Sequence, residues 1–129
     1  MTTDINKVFR FRNFKIYKKL RPFVINVKKL SKENFPSDER FALSSQLWRA
    51  LDSIILNIAE GSDRSTDKDF AHFLNLSKTS LNEVVACLDV ALDNNYIDKI
   101  NHSRFLQEAA ELSQQLTAFR LWLKNNKTK

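Results

Sequence analysis

The sequence predicts an all-α protein, an antiparallel up-down four-helix bundle. Three observations point there. One glycine and two prolines in 129 residues leave almost nothing with which to build hairpins, phosphate loops or sheet corners. Apolar residues recur at spacings of three and four through most of the chain, the period of helices that bury one face. The length suits a single domain over residues 1–129, able to bury roughly two-thirds of its unfolded surface without a disulfide or a metal.

The first long helix is predicted over about 13–31, where Ile16, Leu20, Phe23, Val24, Val27 and Leu30 fall within one arc. The rest of its circumference is cationic. Pro22 removes a backbone donor inside it and predicts either a kink or a helix beginning afresh. The second helix, about 38–59, is expected to start after Ser37 as N-cap. Its apolar residues, among them Leu43, Leu47, Trp48, Leu51, Ile54, Ile55, Leu56 and Ile58, point in several directions, which predicts a second subunit over it. The third helix, about 67–94, opens with Thr66 and Asp69 at capping-box positions, and Phe70, Leu74, Ser77, Leu81, Val84, Leu88 and Ala91 then repeat in heptad fashion. The fourth, about 98–124, does the same with Phe105, Ala109, Leu112, Leu116, Phe119 and Leu123. Sustained heptads joined by short connections are what make the bundle antiparallel in this reading, with frayed ends at about 1–8 and 125–129.

The net charge of +6 is unevenly spread. Residues 1–32 hold ten lysines and arginines against Asp4 alone, or +9, and the other 97 residues sum to −3. Solubility does not require such segregation, so an anionic partner for the first helix is expected. Arg10, Arg12, Lys15, Lys18, Lys19, Arg21, Lys28 and Lys29 are the candidate phosphate contacts, with Arg120, Lys124, Lys127 and Lys129 extending the patch if the first and fourth helices are neighbours. Phe9, Phe11 and Tyr17 lie close enough in sequence to stack on exposed bases, although core or interface packing explains them as well.

The segment Asn57-Ile58-Ala59-Glu60-Gly61 holds the single glycine. At the end of an apolar run, Gly61 is expected to terminate the helix in the left-handed conformation. Asn57, with Ser53 one turn earlier, needs partners among isoleucines and leucines, and Ser77 and Ser80 are the expected ones. Either a polar clip that fixes register or a binding role accounts for it.

The run Leu43, Gln46, Ser53, Ile54, Asn57-Ile58-Ala59-Glu60-Gly61, Arg64, Lys68, Phe70, Phe73, Leu74, Ser77, Ser80, Leu81 and Glu83 closely resembles the bacterial four-helix-bundle family of 23S rRNA intervening-sequence proteins. Phe9-Arg10-Phe11 followed by Phe14-Lys15-Ile16-Tyr17 is also similar to that family's approach to its first helix. Pro22 and Leu56 depart from the family's habit. The resemblance implies a non-enzymatic basic bundle assembling as a homopentameric barrel. It also implies a connection with ribosomal RNA insertions, and with a reverse transcriptase through a related accessory protein of diversity-generating retroelements.

Catalytic alternatives find little in the chain. Asp69-x-x-His72, with Glu60 and Glu83 as conceivable partners, is half of a di-iron bundle motif, and His102 has no acid three residues before it, so no metal or other cofactor is expected. Arg64 and His72 are too far apart for the arginine-histidine motif of helical ribonucleases. Cys87 has no histidine at helical spacing and reads as a packing residue. A single cysteine, no leader-like start and no apolar run of roughly 18 residues lead to the expectation of a cytoplasmic protein clear of the membrane. Two functional classes remain: an oligomer that binds RNA or DNA without sequence preference, or a scaffold docking an acidic protein or a reverse transcriptase.

Overall fold

The computed structural model describes residues 2–125, and among them there is no strand. Four long helices follow a short prelude. They are preceded by α1, Ile5–Val8, and a 3-10 turn, Arg10–Asn13. The long helices are α2, Lys15–Asn34, α3, Leu43–Ser62, α4, Asp67–Asp93, and α5, Lys99–Asn125. A second 3-10 turn, Ser37–Glu39, lies between α2 and α3.

Local chemistry sets most of the boundaries. Helix α2 continues through Pro22 without restarting. Because Pro22 is exposed, the Lys18 carbonyl that loses its partner faces the solvent side of the helix, where water can satisfy it. The helix ends at Asn34 because Phe35, which precedes Pro36, is held extended at φ −79°, ψ 139°. Helix α3 begins at Leu43, about five residues later than expected, and Ser37 makes no side-chain cap. The cause is Glu39, whose carboxylate accepts the Leu43 N–H at 3.2 Å and the Tyr96 hydroxyl at 2.7 Å. Those two bonds hold the connection as a 3-10 turn against the bundle end. Thr66 caps α4 by accepting the Asp69 N–H at 3.1 Å, and Asp98 caps α5 by accepting that of Asn101 at 2.8 Å.

The left-handed helix terminator is present, but at Asn95. Asn95 has φ 61°, with Tyr96 N–H donating to the Ala91 carbonyl at 2.8 Å and Asn95 N–H to that of Leu92 at 3.0 Å, the two bonds of a Schellman motif. Gly61, expected in that role, lies inside α3 and has no positive φ. Its reason is space. A Cβ there would stand 2.4 Å from Phe73 Cβ and 3.0 Å from the Phe70 ring, so α3 and α4 approach as closely as they do only over a bare Cα.

Helix α2 packs on α3 and α5, and α4 on the same two, while α2 and α4 do not approach directly, nor do α3 and α5. The bundle core between them is made of Leu20, Phe23, Val27, Leu47, Leu51, Ile54, Ile58, Leu74, Leu81, Val84, Leu88, Phe105 and Leu116, all essentially without solvent contact. Each such side chain contributes about 1.5–3 kcal/mol of transfer free energy. At one end Phe14, Phe70 and Phe119 pack ring on ring, with centroids 5.4 to 6.0 Å apart. Most of the apolar surface of α3 is thus buried within one protomer, so the cover expected from a second subunit is largely supplied by the chain itself. Leu56, 64% exposed, and the half-buried Ile55 and Trp48 are what remain outside.

Candidate nucleic-acid interface

The register that buries Ile16, Leu20, Phe23, Val24, Val27 and Leu30 turns the opposite side of α2 outward. Lys15, Lys18, Lys19, Arg21 and Lys29 are all exposed there. The ion pairs among the described residues are Lys28–Asp52, Arg64–Glu60 and His102–Asp89, so Lys15, Lys18, Lys19 and Lys29 pair with no carboxylate of those residues. Arg21 rests over the Tyr17 ring, 5.6 Å from its centroid. Four ammonium groups on one helical face, without a carboxylate partner among the described residues, form a positive surface.

Other predicted contacts have work inside the molecule. Arg10 donates from Nη2 to the Ser62 carbonyl at 2.7 Å, closing the C-terminus of α3, and lies 5.6 Å from the centroid of Phe14. Arg12 donates from Nε to Asn6 Oδ1 at 3.1 Å. Lys28 binds Asp52 at 2.6 Å and sits 4.9 Å from the Trp48 ring. Arg120 is half-buried with its Nε without a partner, and Lys124 is exposed. Helices α2 and α5 are neighbours as expected, and Lys15 lines a cleft with Gln115 and Phe119. That contact brings the end of α5 to the start of α2. Lys127 and Lys129 lie outside the described residues. Phe11 and Tyr17 pack edge to face at 5.1 Å against the core, while Phe9 is exposed.

The serine and asparagine residues of the central segment form a clip between α3 and α4. Asn57 Nδ2 donates to the Ser53 carbonyl at 2.8 Å and to Ser53 Oγ at 3.0 Å, and Ser53 Oγ meets Ser80 Oγ at 2.8 Å. Ser77, fully buried, donates to the Ile54 carbonyl at 2.8 Å rather than to Asn57. Glu60 pairs with Arg64 at 3.5 Å on the surface. Burial raises the Cys87 thiol pKa, and the charge of the exposed Glu83 adds to it. Asp69 and His72 are both exposed, His72 packing on Phe73, and the described residues hold no cluster of three metal-ligating side chains. No described helix is long and apolar enough to cross a membrane.

The arrangement of clip, bare glycine and basic helix lies within a region that a protein-family comparison covers. The profile of the 23S rRNA-intervening sequence proteins matches residues 12–118. The chain belongs to that family. The match takes in α2, α3, α4 and most of α5, and so includes both the segment around Asn57 and the cationic face. A solved structure from the S23 ribosomal protein family of Bacteroides thetaiotaomicron, of unknown function, superposes with a TM-score of 0.70 at 22% identity, covering 81% of this chain and 97% of that one. At that identity the likeness establishes the fold. No functionally curated protein matches the sequence.

Proposed function

We propose that this intervening-sequence family member is a non-enzymatic, oligomeric helical bundle that binds nucleic acid, RNA foremost, through phosphate contacts along α2. The observation that carries the reading is the set Lys15, Lys18, Lys19 and Lys29, exposed on one face and without an ion-pair partner among the described residues. Lysines on a rigid helix exchange condensed counterions for their own charge, which yields affinity without base reading. Lys124 on α5 extends the face.

The bundle is antiparallel in this proposal, which the short connections 63–66 and 94–98 favour, as does the cleft that joins Lys15 with Phe119. Family resemblance suggests five protomers in a closed ring. Leu56 and Ile25 are apolar side chains left in solvent for such an assembly to cover. A pentamer of +6 protomers carries about +30, and its repeated faces engage one polyanion with effective concentrations that no single patch reaches. The deciding experiment is the triple variant Lys15→Glu, Lys18→Glu, Lys19→Glu, assayed by fluorescence anisotropy on structured RNA. Binding is expected to vanish with the helical content by circular dichroism unchanged; retained affinity would refute the site. An acidic protein captured in place of RNA would move the same lysines to a scaffold role.

A further inference from the structure

At the opposite end of α2 from Lys15, the chain turns through Phe35 and Pro36 toward α3 and leaves an open groove of about 530 Å³. That volume lies within the range of small-molecule sites, roughly 300–1,000 Å³. Phe35 forms the buried floor, Trp48 is half-buried, and Phe41 on the rim is 86% exposed. The charged groups of the lining are Lys32 and Arg40, and no carboxylate lines it. Twice the same pairing of ring and cation occurs: the Arg40 guanidinium is 4.9 Å from the Phe41 centroid, and Lys28 and Lys32 are 4.9 and 5.9 Å from that of Trp48. Trp48 is held in orientation, because its Nε1 donates to Ser31 Oγ at 2.9 Å and Ser31 in turn donates to the Lys28 carbonyl at 2.8 Å.

We propose that this groove takes one unpaired nucleotide of a bound strand, its base against Phe41 and Trp48 and its flanking phosphates on Lys32 and Arg40. The inference rests on the nucleic-acid reading above and adds to it a preference for single-stranded segments. A base inside a duplex hides both faces in the stack, so only an unpaired one reaches a ring on the protein surface. The complementarity is twofold: aromatic faces for the base and cations, without a competing carboxylate, for the phosphates on either side. Ser44 and Ser45 in the lining donate or accept equally well, which fits recognition that tolerates any base. Lys28 and Lys32 lie on the same helix as Lys15, Lys18 and Lys19, so a strand following α2 arrives at the groove.

The test compares the full chain with Phe41→Ser, a change at a side chain so exposed that the core is untouched. Anisotropy is measured at low salt on a labelled single strand of about twelve nucleotides, within the span such proteins cover, and on a duplex of the same sequence. The wild type is expected to prefer the single strand, and Phe41→Ser to lose about tenfold on it while changing less than twofold on the duplex. Equal effects on both substrates, or no effect on either, overturn the groove and leave the lysine face standing. Wild-type protein that binds neither overturns both readings. Loss of subunit association in Phe41→Ser by light scattering, without a single-strand-specific loss, assigns the groove to a second copy of the chain and overturns the proposal. So does an acidic, phenylalanine-bearing peptide whose binding depends on Phe41 when that of the single strand does not.

Discussion

Gly61 is helical, yet it stands where another side chain has no room. Alanine is the better helix former by about 1 kcal/mol. Against that gain, its Cβ would lie 2.4 Å from Phe73 Cβ, an atom fixed to the α4 backbone, so the helices themselves must separate. Overpacking of this kind costs about 1–3 kcal/mol, and the added propensity does not offset it. We therefore expect Gly61→Ala to lower Tm by several degrees in a thermal melt followed by circular dichroism; an unchanged or higher Tm would contradict the close-approach account. The sequence marked the residue as special but misled about the cause, because a left-handed terminator and a helix crossing both call for glycine. Asn95 shows the same ambiguity from the other side, since asparagine is common enough in loops to attract no notice. The polar clip was largely legible, as buried amides need partners, although the sequence paired Asn57 directly with Ser77 and Ser80. In the fold Ser53 is the intermediary and Ser77 serves a backbone carbonyl. Ser77→Ala leaves the Ile54 carbonyl without this donor and is expected to cost about 1 kcal/mol in urea unfolding.

Helix α2 contains a proline in its interior without being divided by it. Pro22 lies on the exposed side, so its cost is the missing hydrogen bond and ring crowding, not a buried orphan. Pro22→Ala should stabilise the protein by about 2 kcal/mol, the interior-helix penalty less the entropy that proline removes from the unfolded chain. A loss of stability would mean that the proline ring itself is needed in place. Between α2 and α3 the sequence reading failed by several residues because the decisive contact is distant: Tyr96, 57 positions away from Glu39, donates to its carboxylate. That bond and the Leu43 N–H hold the Glu39 pKa below its ordinary value. Stability from this group is therefore present above the unfolded carboxylate pKa and lost as pH falls through the lower folded one. Tyr96 is raised in return, chiefly by the same hydrogen bond, so its share is present below the ordinary tyrosine pKa and lost as pH rises through the raised one. Tyr96→Phe is expected to show a smaller drop in Tm than the wild type on acidification from about pH 7 to 3. Identical drops would show that Glu39 is not coupled to Tyr96. Elsewhere the long helices were legible to within a few residues, because their heptads and the cap at Thr66 are local signals.

Across the molecule, charge and apolar surface are distributed in ways that one protomer does not use up. The first quarter carries +9, and α2 displays much of it on a face whose Lys15, Lys18, Lys19 and Lys29 have no ion-pair partner among the described residues. Composition alone revealed that segregation, and periodicity alone placed it on a surface helix. Composition did not reveal which cations are already occupied: Arg10 at the end of α3 and Lys28 on Asp52 became distinguishable from Lys15 and Lys18 only through partners far away in sequence. The groove around Trp48 was equally hidden, since Arg40, Phe41 and Lys32 come together through the turn at Pro36. The salt dependence of RNA affinity tests the central claim most directly. Measured by anisotropy between about 50 and 300 mM salt, log Kd should change with log salt by several units of slope, and the Lys15, Lys18 and Lys19 glutamate variant should abolish binding. A salt-independent affinity, or no binding by the wild type at the lowest salt, would contradict the proposal that α2 is a phosphate-binding face.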